Sequence, residues 1–197
     1  MMRPSFLARL RDDARGSPIA EFAVVAPTML LLIMASMDLA YSSYATSVLE
    51  GEIQKASRDS GMEGSGDKLA AIQAKAENQV RLVVKNATFT PLRKSYTSYL
   101  TAKPERFTDS NGNGQRDPGE CFDDVNANGQ WDSDPGNDGQ GGANDVAAYT
   151  MKMTFPRLFP LAGMIGLPST ETITVKTYLR NQPYNAQNVP TVKTLCT

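Results

Sequence analysis

An apolar run from about Ile19 to Tyr41, interrupted by Pro27 and Asp38, constrains this chain more than any other feature. Its length matches the ~20 residues a helix needs to cross a hydrocarbon core. The residues ahead of it are polar and basic, with Arg3, Arg9, Arg11 and Arg15 outnumbering Asp12 and Asp13. Basic residues on that side predict a cytoplasmic N-terminal end and place everything after Tyr41 outside. A secretory signal fits less well, because its apolar core is about 7–15 residues and ends at a small-residue cleavage site. Tyr41-Ser42-Ser43-Tyr44-Ala45 is a poor one. A plain signal anchor explains length and orientation. It leaves Glu21 unexplained, since a carboxylate at the start of the apolar stretch costs roughly 2–3 kcal/mol unless it is paired or close to the interface.

Composition narrows the function classes. The 197 residues carry 20 basic and 21 acidic side chains, a net charge of −1, so no nucleic-acid footprint is expected. Histidine is absent, which removes the commonest general base and the commonest zinc ligand. No nucleophile stands at a recognisable spacing from a base, so no enzyme is expected. Cys121 and Cys196 are too far apart in sequence for a CxxC redox or zinc motif.

The N-terminal residues Arg15-Gly16-Ser17-Pro18-Ile19-Ala20-Glu21-Phe22, followed by an apolar helix with Pro27, resemble the prepilin signature of type IVb pilins. Within that group the chain is most similar to the TadE-like proteins of tight-adherence (Flp) pilus systems. The resemblance implies a prepilin peptidase that cuts between Gly16 and Ser17 and leaves the helix in the mature protein, with Glu21 as its fifth residue. It also implies association with other pilin-like subunits and the pilus assembly machinery, at the inner (cytoplasmic) membrane and in the pilus. Physical chemistry is consistent with such a cut. It would expose an α-amino group on Ser17, whose charge Glu21 can neutralise in low dielectric. Pro18 would occupy the first helical turn, where a missing N–H costs nothing.

Beyond the bilayer, Ala45, Val48, Leu49, Ile53 and Ala56 continue at helical spacing until a break at residues 59–66. A second helix is predicted from Asp67, a plausible N-cap, with an apolar stripe of Leu69, Ile72, Ala76, Val80 and Val83.

Residues 108–145 concentrate Gly, Asn and Asp. From Asp109 the side chains of Asp109, Asn111 and Asn113, then Gly114, Gln115 (through its carbonyl), Asp117 and Glu120 fall at the spacing of a calcium loop. A hard cation wants six to eight oxygens on a tight turn, and this spacing supplies them. A second run, Asp124, Asn126, Asn128, Gly129, Gln130 and Asp132, lacks the closing glutamate and has Pro135 there, with Asp134 or Asp123 as candidate substitutes. The alternative for either run is a turn-rich loop whose Asn-Gly pairs only make bends. Neither is flanked by helix patterns in the manner of a paired EF-hand sensor, so a structural role at modest affinity is expected, roughly 10⁻⁴–10⁻³ M as in extracellular modules. Outside the cytoplasm Cys121 and Cys196 are expected to pair, tying the chain's last residues to the first loop.

Val146–Phe155 and Thr170–Leu179 alternate as two strands. Between them residues 158–168 are apolar, proline-bounded and too short to span a bilayer; burial is expected, the alternative being a patch facing another subunit or the membrane. The predicted architecture is α+β and pilin-like: leader 1–16, transmembrane helix 17–41, and an extracytoplasmic domain 42–197 with a second helix and a small antiparallel sheet bearing the calcium-binding loop 108–145. The predicted function is a minor pilin or pseudopilin; the alternative is an unprocessed, membrane-anchored calcium-binding surface or adhesion module.

Overall fold

A computed structural model describes residues 18–62, 68–159, 163, 166 and 168–196. The chain divides into two compact units, Met1–Ser43 with Arg157–Ser169, and Tyr44–Pro156 with Thr170–Thr197. Helix α1, Pro18–Ser60, runs through the anchor segment and on into the second unit. It is long and apolar enough to cross a membrane, and among the described residues none of its most apolar stretch is buried. Ile19, Phe22, Val24, Leu32 and Leu39 are 66 % or more exposed, a pattern consistent with a helix that meets lipid. Ser36 donates its hydroxyl to the Ile33 carbonyl at 2.8 Å, so this polar group enters the apolar stretch already satisfied. At the other end of that stretch Asp38 meets Arg157 at 2.9 Å.

In the second unit the same helix becomes one-sided. Ala45, Leu49, Ile53 and Ala56 are at most 3 % exposed, and their three- and four-residue spacing puts them on one stripe. Helix α2, Leu69–Val83, adds Ala76 and Val80. Its first turn has no side-chain cap, and the expected cap Asp67 lies outside the described residues. Asn86, at a left-handed φ of 60°, turns the chain into the sheet.

The sheet is antiparallel with strand order β3-β1-β4-β5, the strands being β1 Thr88–Tyr96, β3 Asn137–Asp138, β4 Val146–Pro156 and β5 Thr170–Arg180. The two strands expected from alternation are β4 and β5, paired from Val146↔Arg180 to Pro156↔Thr170. β4 is more buried than a half-exposed strand. Tyr149, Met151, Met153 and Phe155 face the main core, while Val146 and Ala148 close a smaller cluster with Tyr96 on the opposite face. Leu49, Ile53, Ala76, Val80, Phe89 and Met151 meet where the helices and the sheet come together. Each large side chain buried there contributes roughly 1.5–3 kcal/mol.

Strand β2, Cys121–Asp124, pairs with β6, Lys193–Cys196, in a separate two-stranded ladder. Cys121 stands opposite Cys196 in that register, and the two are joined by a disulfide. For the apolar link 158–168 the expectation is burial; of its described residues, Leu158 is 49 % exposed, no described residue covering it.

Candidate functional site

The two oxygen-rich runs fold alike. In the first, Asp109 accepts backbone N–H groups from Gly112 at 2.7 Å, Asn113 at 3.2 Å and Gly114 at 2.8 Å. In the second, Asp124 accepts from Asn128 at 3.1 Å and Gly129 at 2.9 Å. Asn111 and Asn113 both donate their side-chain amides to Asp117, at 2.6 and 2.8 Å. Asn126 and Asn128 do the same to Asp132, at 2.9 and 2.6 Å. The N–H groups of Gln115 and Gln130 bond the Asn113 and Asn128 side chains, each at 2.7 Å. Positive φ falls at matching places, Gly112 and Gly114 in one loop, Ala127 and Gly129 in the other. Glycine fits these sites without a Cβ penalty, whereas Ala127 accepts about 1–2 kcal/mol of strain.

The closing carboxylate is where sequence spacing and structure part. Glu120 reaches back over the first loop, its oxygens accepting from Ser110 N–H at 2.7 Å and Asp117 N–H at 3.0 Å. Over the second loop the same two bonds are made by Glu105, which accepts from Val125 N–H at 2.8 Å and Asp132 N–H at 2.9 Å. The substitutes expected from sequence are engaged elsewhere. Asp134 holds the Tyr96 hydroxyl at 2.6 Å and the Lys94 ammonium at 2.9 Å, and Asp123 accepts from the Thr194 hydroxyl at 2.8 Å. A reciprocal exchange explains Glu105. The segments before the two loops pair antiparallel, with a Phe107↔Phe122 bridge flanked by Thr108 N–H to the Cys121 carbonyl at 2.8 Å and Asp123 N–H to the Arg106 carbonyl at 2.9 Å. Each Glu therefore crosses to close the other repeat's loop. The signal was present as an internal repeat, Glu105-Arg-Phe107-Thr-Asp109 against Glu120-Cys-Phe122-Asp-Asp124, at equal spacing.

Both closing carboxylates are buried, Glu105 3 % and Glu120 6 % exposed. Burial raises the Glu105 pKa above the ordinary carboxylate range, against the lowering effect of its two backbone donors. The Gly114 N–H, with those of the neighbouring loop residues, holds Asp109 below that range. Aromatic rings brace the pair: Phe107 meets Trp131 edge-on at 5.9 Å between centroids, the Trp131 indole N–H bonds the Glu105 carbonyl at 3.0 Å, and the Arg116 guanidinium lies 5.1 Å over Phe122.

Among the described residues no three or more His, Cys, Asp or Glu side chains are grouped so as to grip a metal. Each loop instead gathers a few carboxylates with asparagine side chains. A carboxylate has about four lone-pair sites, and each closing Glu uses two of them on N–H donors. Oxygens of this kind are what calcium takes, whereas zinc prefers nitrogen and sulfur.

At the anchor, Glu21 lies in the first turn of α1, and the expected processing residues Gly16 and Ser17 lie outside the described residues. Fold and site together define a class: a protein with a long apolar helix near its N-terminus and an α+β second unit carrying paired oxygen-rich loops. Residues 16–58, a minor part of the chain, match the family model described as TadE-like protein, so the long helix and its start are similar to that family. No curated protein and no solved structure matches the chain significantly.

Proposed function

We propose that this protein is a prepilin-type minor pilin or pseudopilin, a structural or assembly subunit of a tight-adherence (type IVb) pilus. The observation that carries the reading is the TadE-like match over residues 16–58 on a helix whose most apolar stretch is left unburied by the described residues. Such a helix suits lateral association in the bilayer with similar subunits. On this reading prepilin peptidase removes residues 1–16, the mature protein sits in the cytoplasmic membrane with residues 42–197 outside, and assembly moves it into the pilus. Glu21 offsets the new α-amino charge of Ser17 or that of a neighbouring subunit. The role is structural, not catalytic.

Calcium is part of the proposal, one ion per loop. Asp109, Asn111, Asn113, Gln115, Asp117 and Glu120 would hold the first. Asp124, Asn126, Asn128, Gln130 and Asp132, with Glu105, would hold the second. The cation would supply positive charge beside the buried carboxylates and brace the loops without chemistry of its own. Asparagine in place of carboxylate keeps affinity modest.

The test is a deletion strain complemented with wild type or with Glu21→Ala. Fibres should vanish on deletion, return with wild type, and stay absent with Glu21→Ala although that variant still fractionates with membranes. Fibres at normal abundance in the deletion strain would remove the pilus role.

A further inference from the structure

We infer that the outer edge of β5 is an interface with a second copy of this chain, the two β5 strands pairing antiparallel across a two-fold axis. The inference concerns the sheet of the second unit and stands whether or not α1 is a membrane anchor.

β5 ends the strand order β3-β1-β4-β5, so among the described strands it pairs on its β4 side alone. An edge of this kind offers a row of backbone N–H and C=O groups to a further strand, and here the row runs for eleven residues, Thr170–Arg180. The devices that usually blunt an edge are weak in it. The strand contains no proline or glycine, and its register with β4 is unbroken by a bulge from Val146↔Arg180 to Pro156↔Thr170. Lys176, the kind of residue that wards off a neighbouring strand, lies along its own, with its ammonium 4.8 Å over the Tyr178 ring. β1, by contrast, has Pro91 within it and β3 over part of its open side.

What the edge fits is its own copy. On the core side of β5, Ile173, Val175 and Leu179 are only half-buried, whereas their β4 partners Met153, Met151 and Ala147 are at most 3 % exposed. The core therefore runs out at this edge with apolar side chains still partly open. A two-fold axis normal to the sheet through Thr174 sets Ile173 of each copy opposite Val175 of the other, which continues the core across the seam. The same register sets Lys176 opposite Thr172 and Tyr178 opposite Thr170, so no charge faces a like charge. Moving the axis to Lys176 would oppose two ammonium groups, and moving it to Val175 would leave them diagonal neighbours about 7–8 Å apart. Charge along the strand also selects the antiparallel sense. Glu171 stands near its start, Lys176 and Arg180 toward its end, so antiparallel copies bring unlike ends together and parallel copies like ends. Paired in this way, the two four-stranded sheets become one continuous sheet.

The test uses the full chain in detergent micelles with one introduced cysteine. Cys121 and Cys196 are bonded to each other and do not compete. Residues directly opposite across an antiparallel seam have Cα atoms about 4.5–5.5 Å apart, within disulfide reach. Thr174→Cys, at an exposed site, should therefore give a disulfide-linked dimer on mild oxidation, while Thr90→Cys, equally exposed on β1, stays monomeric. Thr172→Lys added to Thr174→Cys opposes lysines across the seam and should cut the dimer yield. Thr172→Glu in its place faces Lys176 with a carboxylate and should raise it. Thr172 is exposed, so the circular dichroism of both variants should match the parent, which separates the effect from misfolding. A monomeric Thr174→Cys overturns the inference. So do equal yields at 174 and 90, or a yield at 174 indifferent to both Thr172 variants, because the contact would then be chance collision. Dimer formed by Leu32→Cys on α1 but not by Thr174→Cys would mean that copies meet through the helix alone, and it too overturns the inference.

Discussion

Glu105 and Glu120 occupy equivalent places around the Phe107↔Phe122 bridge, each buried and each spanning two backbone N–H groups of the opposite loop. A position at one loop's closing point is thus encoded in the other repeat. Replacing either by glutamine keeps the size and removes the charge. Calorimetric titration should show the corresponding loop weakened by roughly tenfold or more, with the other loop retaining its heat. Glu105→Gln acting only on the second loop would support the exchange, and no effect on calcium binding would contradict it. This is also where sequence legibility ended. The first loop is readable because all its oxygens lie within one stretch from Asp109 to Glu120. The second is not, because its closing group precedes it and reaches it only through antiparallel pairing. Asp38 shows the same limit: it reads as an interruption of an apolar run, and its partner Arg157 lies far along the chain.

Among elements, β5 is legible because its alternation is strict over eleven residues, and β4 because Tyr149, Met151, Met153 and Phe155 alternate with polar Thr150, Lys152 and Thr154. β1 is not, since Pro91 and a polar run of Thr, Arg, Lys and Ser read against a strand. Proline is tolerated there because β3 covers β1 only at Lys94 and Ser95, leaving the Pro91 side of the strand as an open edge. The short β2 and β6 have no periodicity to read and are defined by pairing and the disulfide between them. That bridge closes a separation of 75 residues, for which chain entropy gives about 4 kcal/mol. The double variant Cys121→Ser, Cys196→Ser should lose up to that amount in denaturant unfolding; an unchanged midpoint would show the ladder holds without it. Phe155→Ala in β4, at a site 1 % exposed, should cost about 3–5 kcal/mol in the same assay, whereas a loss below 1 kcal/mol would mean the core is not where the fold places it.

For the molecule as a whole, the proposed function has calcium and the membrane acting on different parts of one chain. With a Kd of roughly 10⁻⁴–10⁻³ M, millimolar calcium should stabilise the second unit by about 0.4–1.4 kcal/mol per loop. Chelation should lower its melting temperature and restore it on calcium addition, while insertion of α1 into vesicles is unaffected; a melting curve indifferent to calcium would contradict the metal proposal. The central claim is that α1 belongs to a trimmed prepilin, and the most direct measurement is the N-terminal residue of the protein purified from its own membrane. The account predicts Ser17, with Glu21 fifth. Protein that keeps Met1 through Gly16 while its cells build fibres normally would contradict it.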